Sequence, residues 1–390
     1  MNRKLKDFGL GHVNPPISDS AMYEFETAAQ MTEMFETGIA GRYLYGRHLS
    51  PSNHLLAQSL AEMEGTESAC VMATGMGAIS CAVMQLCESG DEIIASRTVY
   101  GGTYALFANL LPKFGLTTYF VNMNDLDEVK RSISDRTKIV YCETLSNPLL
   151  ACPNLAALGT LCRDRGILLV VDNTFAPLIV RPVAIGAHVV VHSLTKYVNG
   201  MGDHLGGAVC GSRDFIDSLL NVNTGASMLL GPTMDAQVSS SIRKNLQTLP
   251  VRMKQHSQNA MAVSVSLEEA GYSVVYPGLA SHPNHEQFST IANSAYKYKT
   301  VFTLDCRSCE VADLFMQELV LVGVGHLAVS LGFVQTLFSM PACSTSSEIP
   351  EDERKRMGLS TGFVRFSVGV EPDSEGLAKK ILGVARRIIV

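Results

Sequence analysis

Between residues 68 and 211 the chain alternates short runs of β-branched and apolar residues with longer amphipathic runs. The short runs, at 69–72, 92–95, 117–121, 138–142, 168–171, 189–192 and 207–210, read as strands. The longer ones, for example at 77–87, 103–114, 126–133 and 155–165, carry apolar residues at helical spacing. Val- and Ile-rich strands separated by helices predict an α/β architecture, a mostly parallel seven-stranded sheet with helices on both faces. Past residue 215 the pattern changes. A long helical stretch at 233–270 leads into separate strands at 300–304, 327–330 and 363–367, and a helix over 374–389 closes the chain. This half predicts a smaller C-terminal α+β domain. The first 50 residues hold few core-like runs and predict an N-terminal arm that lies on a neighbouring subunit. The expected division is an arm over 1–50, a large domain over 51–250 and a C-terminal domain over 251–390.

Composition narrows the function classes. With 46% hydrophobic and 17% charged residues, the 390-residue chain can bury a large core and is not disordered. A net charge of −6 without a basic stripe argues against a nucleic-acid partner. No apolar run approaches the ~20 residues that span a bilayer, so no membrane partner is expected. The basic N-terminal stretch has no apolar segment behind it, and so no secretory signal is read. Ten cysteines scattered through a long chain suggest reduced, mostly buried thiols rather than a disulfide frame, with the cytosol as compartment. The histidines show no HExxH or paired spacing, and no metal site is expected.

Three strand-end segments carry candidate chemistry, because ligands of open parallel sheets gather at the carboxyl ends of the strands. In ATGMGAIS (73–80) a strand meets glycines and then a helix, whose first N–H groups can bind a phosphate or simply make a turn. In VVDNTF (170–175) a strand delivers Asp172 into a turn, where it caps the backbone or sits under a ring nitrogen. In VHSLTKYVNG (191–200) a strand ends in Ser193, Thr195 and Lys196. A lysine in apolar surroundings loses its charge easily and becomes a Schiff-base nucleophile. Phosphate turn, aspartate and Ser-x-Thr-Lys together are what a phosphorylated pyridine aldehyde requires.

With those segments in view the sequence resembles the cystathionine/methionine-metabolism family of fold-type I pyridoxal-phosphate enzymes over nearly its whole length. The matching stretches are YLYGRHLSPS, EGTESACVMATGMGAIS, ASRTVYGGTYAL, CETLSNP, VVDNTFAP, HSLTKYVNG, LAVSLG and TGFVRFSVGVE. The resemblance implies a pyridoxal 5'-phosphate cofactor held as a Schiff base on Lys196, with Asp172 paired to its ring nitrogen. It implies phosphate contacts from Gly75, Met76, Ser193 and Thr195, completed by Tyr45 and Arg47 of a neighbouring subunit. Tyr100 would stack on the ring and act as acid near the departing sulfur, with Asn147 beside the cofactor. Arg365, helped by Ser330, would bind the substrate carboxylate. An obligatory homodimer, and a homotetramer built from it, follow from the same likeness. Within the family the wording is most similar to the plant-type methionine γ-lyases. The implied reaction is γ-elimination on L-methionine, giving methanethiol, 2-oxobutanoate and ammonia. The alternatives are a cystathionine γ-lyase, or γ-replacement on an O-acylated homoserine of the cystathionine γ-synthase or homocysteine synthase type. Gly102 stands where bacterial methionine γ-lyases carry cysteine, and Asn221-Val222 where they carry Lys-Asp.

Overall fold

A computed structural model describes residues 12–36, 42–147, 149–296, 300–344 and 349–389. The basic N-terminal stretch read for a signal, and part of the expected arm, lie outside the described residues. The large sheet is built from β1 (Ser68–Met72), β2 (Glu92–Ser96), β3 (Thr117–Val121), β4 (Thr137–Glu143), β5 (Leu168–Asp172), β6 (Val189–Ser193) and β7 (Gly207–Gly211). Their order is β1-β7-β6-β5-β4-β2-β3. The five strands from β3 to β6 run parallel, whereas β7 is antiparallel to both its neighbours. The pattern located each strand to within one residue; in all but the edge strand β3, residues of both parities are buried. Val140, Val171 and Val190 face one core, and Tyr141, Val170 and Val191 face the other.

Helices departed from expectation where proline intervenes. The segment expected as one helix over 103–114 is an α-helical turn, Gly101–Ala105, then a wide π-turn, Leu106–Leu110, then a 3-10 turn, Leu111–Phe114. Pro112 has no N–H for the regular ladder, so the chain changes hydrogen-bond register there. The stretch 233–270 divides into Ala236–Leu246 and Leu249–Glu269, with Pro250 in the first turn of the second helix. This second helix buries Leu249 and Met253 on the large-sheet core and Ala260, Val263 and Leu267 on a second core. The chain thus passes between the two cores inside a helix.

The smaller sheet contains β8 (Val274–Val275), β9 (Val301–Asp305), β10 (His326–Leu327), β11 (Leu337–Ser339) and β12 (Phe363–Ser367), in the order β10-β11-β12-β9-β8. The strand expected over 327–330 is cut short to His326–Leu327. After Ala328 donates to the Phe338 carbonyl (3.2 Å), the chain leaves the sheet. At Gly332, φ is +76°, and a Cβ there would lie 2.5 Å from the Tyr197 amide nitrogen. A glycine at this position lets the loop press against the backbone that carries Lys196. The closing helix, Ser374–Ile388, packs on Leu249–Glu269. Before the first core helix, Pro51–Glu64, the described arm is irregular apart from Ala28–Glu36, and it exposes Val13, Met22 and Phe35. No helix among the described residues is long and apolar enough to cross a membrane.

Candidate active site

The carboxyl ends of β4, β5 and β6 bring Glu143, Asp172 and Ser193 to one edge of the large sheet, with Glu143 and Asp172 in register as neighbours. Above that edge is a cavity of about 340 Å³. Gly75, Met76, Tyr100, Asn147, Asp172, Ser193, Thr195, Lys196, Ser330 and Arg365 all line it. Tyr45 and Arg47 do not. Arg47 donates to the Met228 carbonyl (2.7 Å) and lies 5.7 Å from the Tyr45 ring centre, and Tyr45 is exposed.

One wall is the start of the helix Gly75–Leu86. Thr74 caps it by accepting from the Gly77 amide (2.9 Å), so the chain turns directly from β1 into the helix. A Cβ on Gly75 would come within 2.8 Å of the Ser193 Cβ, and only glycine permits this approach of helix to strand. The first-turn N–H groups at Gly75 and Met76 have no intrahelical acceptors and carry the positive end of the helix dipole, which suits a phosphate. Thr195 Oγ1 accepts from the Gly206 amide (3.0 Å), and the Ser193 amide donates to Thr174 Oγ1 (2.8 Å).

Asp172 caps the turn and also lines the cavity. Its Oδ1 accepts from the Thr174 amide (2.9 Å), a turn contact, while Oδ2 lies 3.4 Å from the Tyr141 hydroxyl. Burial raises its pKa, and the Thr174 contacts work against the rise. Glu143, unassigned by the sequence reading, is buried beside it. Its two oxygens accept from the amides of Tyr100 (2.7 Å) and Asn147 (3.2 Å). Burial first, and the neighbouring Asp172 second, push the Glu143 carboxyl well above the usual range. Two adjacent buried carboxyls of raised pKa form a floor whose ionised form a cationic ring N–H would favour.

Lys196 Nζ donates to Ser330 Oγ (3.1 Å). Desolvation first, and Arg365 second, lower its pKa to about 8. Arg365 is 2% exposed. It donates to Asn147 Oδ1 (2.9 Å), the Ser330 carbonyl (3.1 Å) and Ser339 Oγ (3.4 Å), while its Nε has no partner among the described residues. All the acceptors are neutral, so this guanidinium is buried with its charge uncompensated. Burial brings its pKa down to about 10. No acidic side chain among the described residues pairs with it.

Sequence reasoning also passed over Thr174 and the apolar rim of Leu205 and Val329, both well exposed at the mouth. Glu143 lies inside the matched stretch CETLSNP and, like Asp172, ends a parallel strand; that position was the available signal. The ten cysteines form no disulfide, and eight of them are buried. Cys306 and Cys309 stand at C-x-x-C spacing, but burial pushes the Cys306 thiol up to about 12, out of the reactive range.

A buried amine of lowered pKa, a strand-end carboxylate and a helix N-terminus around one cavity, on a parallel sheet covered on both faces, define a fold-type I pyridoxal-phosphate enzyme. Comparison with known proteins agrees. Residues 2–381 match the family described as Cys/Met metabolism PLP-dependent enzyme. The chain is 38% identical to methionine γ-lyase of Arabidopsis thaliana, over 92% of this chain and 83% of that one. It is 35% identical to cystathionine γ-lyase of Bacillus subtilis, over 96% and 94%. A crystal structure of cystathionine γ-synthase from Xanthomonas oryzae in complex with cystathionine superposes with a TM-score of 0.89 at 30% identity, covering 98% of this chain and 95% of that one. The chain belongs to the Cys/Met metabolism PLP-dependent enzyme family. It is a pyridoxal-phosphate-dependent enzyme of the γ-lyase and γ-synthase group, whose members handle small sulfur amino acids.

Proposed function

We propose that the enzyme is a cytosolic methionine γ-lyase, releasing methanethiol, 2-oxobutanoate and ammonia from L-methionine. Lys196 would hold the cofactor by its aldehyde and Asp172 by its ring nitrogen. The amides of Gly75 and Met76 with Ser193 and Thr195 would take the phosphate, and Tyr100 and Asn147 would flank the ring. Tyr45 and Arg47 are exposed away from their own cavity and would complete the phosphate site of a second copy, in a homodimer or a homotetramer of such dimers. Pyridoxal phosphate, when bound, supplies an electron sink for charge left at the substrate α-carbon.

The remaining work falls to side chains of this chain. Arg365 binds the substrate carboxylate, supplying the anion its buried charge lacks, while the Ser330 hydroxyl steadies the Lys196 amine. Lys196, with its pKa brought to about 8, takes the α-proton and returns protons near neutral pH. The Tyr100 hydroxyl, at the mouth of the cavity, protonates the departing sulfur. The Glu143 oxygens hold the backbone at Tyr100 and Asn147, which fixes the height of both over the strand ends.

The observation that carries the choice of methionine is the charge inventory of the cavity. Its only cations among the described lining are Lys196 and Arg365, one for the cofactor and one for the carboxylate, and its rim is apolar Leu205 and Val329. A thioether ending in methyl suits such a rim, whereas the distal amino-acid end of cystathionine would want a further cation. Likeness to cystathionine γ-lyase and γ-synthase keeps a second reading, elimination from cystathionine or γ-replacement on an O-acylated homoserine. The deciding assay follows methanethiol and 2-oxobutanoate from L-methionine, beside L-cystathionine and O-acetylhomoserine plus sulfide, with Lys196→Ala as control. Preference for methionine, lost with the visible band in the control, is expected. A visible band with inert methionine would transfer the function to the second reading.

A further inference from the structure

Four of the matched stretches also meet at a second place, on the opposite face of the sheet from the cavity. Glu64, the last residue of the helix Pro51–Glu64, is 1% exposed and points beneath the ends of β5 and β6. Its Oε1 accepts from His192 Nε2 (2.6 Å) and from Asn173 Nδ2 (2.9 Å). Asn173 Nδ2 also donates to the Val180 carbonyl (3.0 Å), and Asn173 Oδ1 accepts from Thr144 Oγ1 (2.8 Å). Asn173, His192 and Thr144 are all buried. Each follows or precedes a residue at the floor of the cavity by one position: Thr144 after Glu143, Asn173 after Asp172, and His192 before Ser193. In an extended chain successive side chains point to opposite faces, so whatever fixes these three sets the height and direction of the three that line the cavity.

We propose that Glu64 is a positioning residue for the cofactor, an anion behind the sheet that ties the ends of β4, β5 and β6 together and so aims Asp172 and Ser193 into the cavity. The inference rests on the cofactor seat proposed above, and not on the choice of methionine. A purely structural network would need hydrogen bonds only. Here the central group is an ionisable carboxyl, buried with its Oε2 unpartnered among the described residues and paired through Oε1 with the ring of His192. A buried negative charge at that depth favours positive charge on the cavity side of the sheet, where a protonated ring and a protonated imine would lie. The groups that share this field are Glu143, Asp172, Tyr141, Lys196 and Arg365 on the cavity face, and His192 and Cys210 with Glu64 on the other.

The test is Glu64→Gln, which keeps the shape and removes the charge. Pyridoxal phosphate is titrated into the cofactor-free chain, and the visible band is followed against pH, with no substrate present. The expected result is cofactor affinity weakened roughly ten- to a hundredfold, with the pH midpoint of the band moved downward, since protonated forms lose their counter-charge. The melting temperature of the cofactor-free chain should change much less than that of the loaded one. Should Glu64→Gln fail to fold, Thr144→Val, which removes one outer hydrogen bond, is read in its place and should weaken cofactor binding by about two- to tenfold. Wild-type affinity and midpoint in the folded variant would overturn the inference alone. Equal destabilisation of both forms with an unmoved midpoint would show a fold-only role and overturn it too. No visible band in wild type would overturn the seat, and this inference with it.

Discussion

Replacing Arg365 by methionine removes a guanidinium that is 2% exposed and has only neutral acceptors among its described partners. Two opposing terms set the effect on stability. Relief of the buried charge is worth several kcal/mol. Against it, Asn147 Oδ1, the Ser330 carbonyl and Ser339 Oγ each lose a donor, at about 1–3 kcal/mol apiece. The terms are of similar size and opposite sign, so the melting temperature should move by only about 5 °C or less. Activity has no such compensation. A substrate carboxylate would lose two charge-assisted hydrogen bonds of about 1.5–3 kcal/mol each. That is roughly two to four powers of ten in kcat/KM at about 1.4 kcal/mol per tenfold. The assay is methanethiol release from L-methionine and from L-methioninamide, which lacks the carboxylate. Wild type should discriminate strongly between them, and Arg365→Met should lose most of that discrimination by losing methionine alone. A fall of less than tenfold on methionine, or an unchanged ratio between the two substrates, would refute the assignment of Arg365.

Other predictions follow from the same geometry. The Lys196 amine has a pKa of about 8, and only its neutral form attacks an aldehyde, so cofactor capture by the cofactor-free chain should accelerate with pH through about 8 and then level off. Stopped-flow absorbance showing a midpoint near the ordinary lysine value of about 10.4 would contradict that. A Cβ on Gly102 would lie 2.6 Å from Tyr100 Cε1, so Gly102→Ala should displace the Tyr100 ring and lower kcat about ten- to a hundredfold with little change in melting temperature. Unaltered kcat would mean that the ring position is not critical. If Arg47 serves the neighbouring subunit, inactive Arg47→Ala and inactive Lys196→Ala chains, unfolded and refolded together, should regain activity through sites that pair an intact lysine with an intact arginine. Persistent inactivity of a mixture shown to hybridise would place Arg47 outside the site.

Much of this was legible without a fold. Six of the seven strands of the large sheet announce themselves because both faces are buried, which leaves runs such as 168–171 apolar at every position, while the edge strand β3 is marked by its β-branched and aromatic residues. Lys196, Asp172 and the glycine turn were legible because strand ends of parallel sheets are where ligands sit. The helix breaks at Pro112 and Pro250 were less visible, since proline tolerates a first turn but not an interior and the pattern alone does not say which it occupies. The strand at 327–330 was overestimated for a tertiary reason, the pull of Gly332 onto the Lys196 backbone. Glu143 went unassigned because nothing local separates a carboxylate that clamps two amides from one that ends a strand in solvent.

Alternation, β-branched runs and punctuation by glycine and proline are local properties, and from them the chain by itself determined a mostly parallel α/β sheet and its order of elements, while the candidate cofactor residues came from strand-end motifs and the family resemblance they carry. Only the tertiary structure decided which of those residues meet. It brought Arg365 from the smaller sheet and Ser330 from the loop after β10 to Lys196, left Tyr45 and Arg47 outside their own cavity, and set Glu64 behind Asp172. The reason is physical. Burial and charge compensation depend on distances between residues as much as 218 positions apart, such as Asn147 and Arg365, and such distances exist only once the chain has closed on itself.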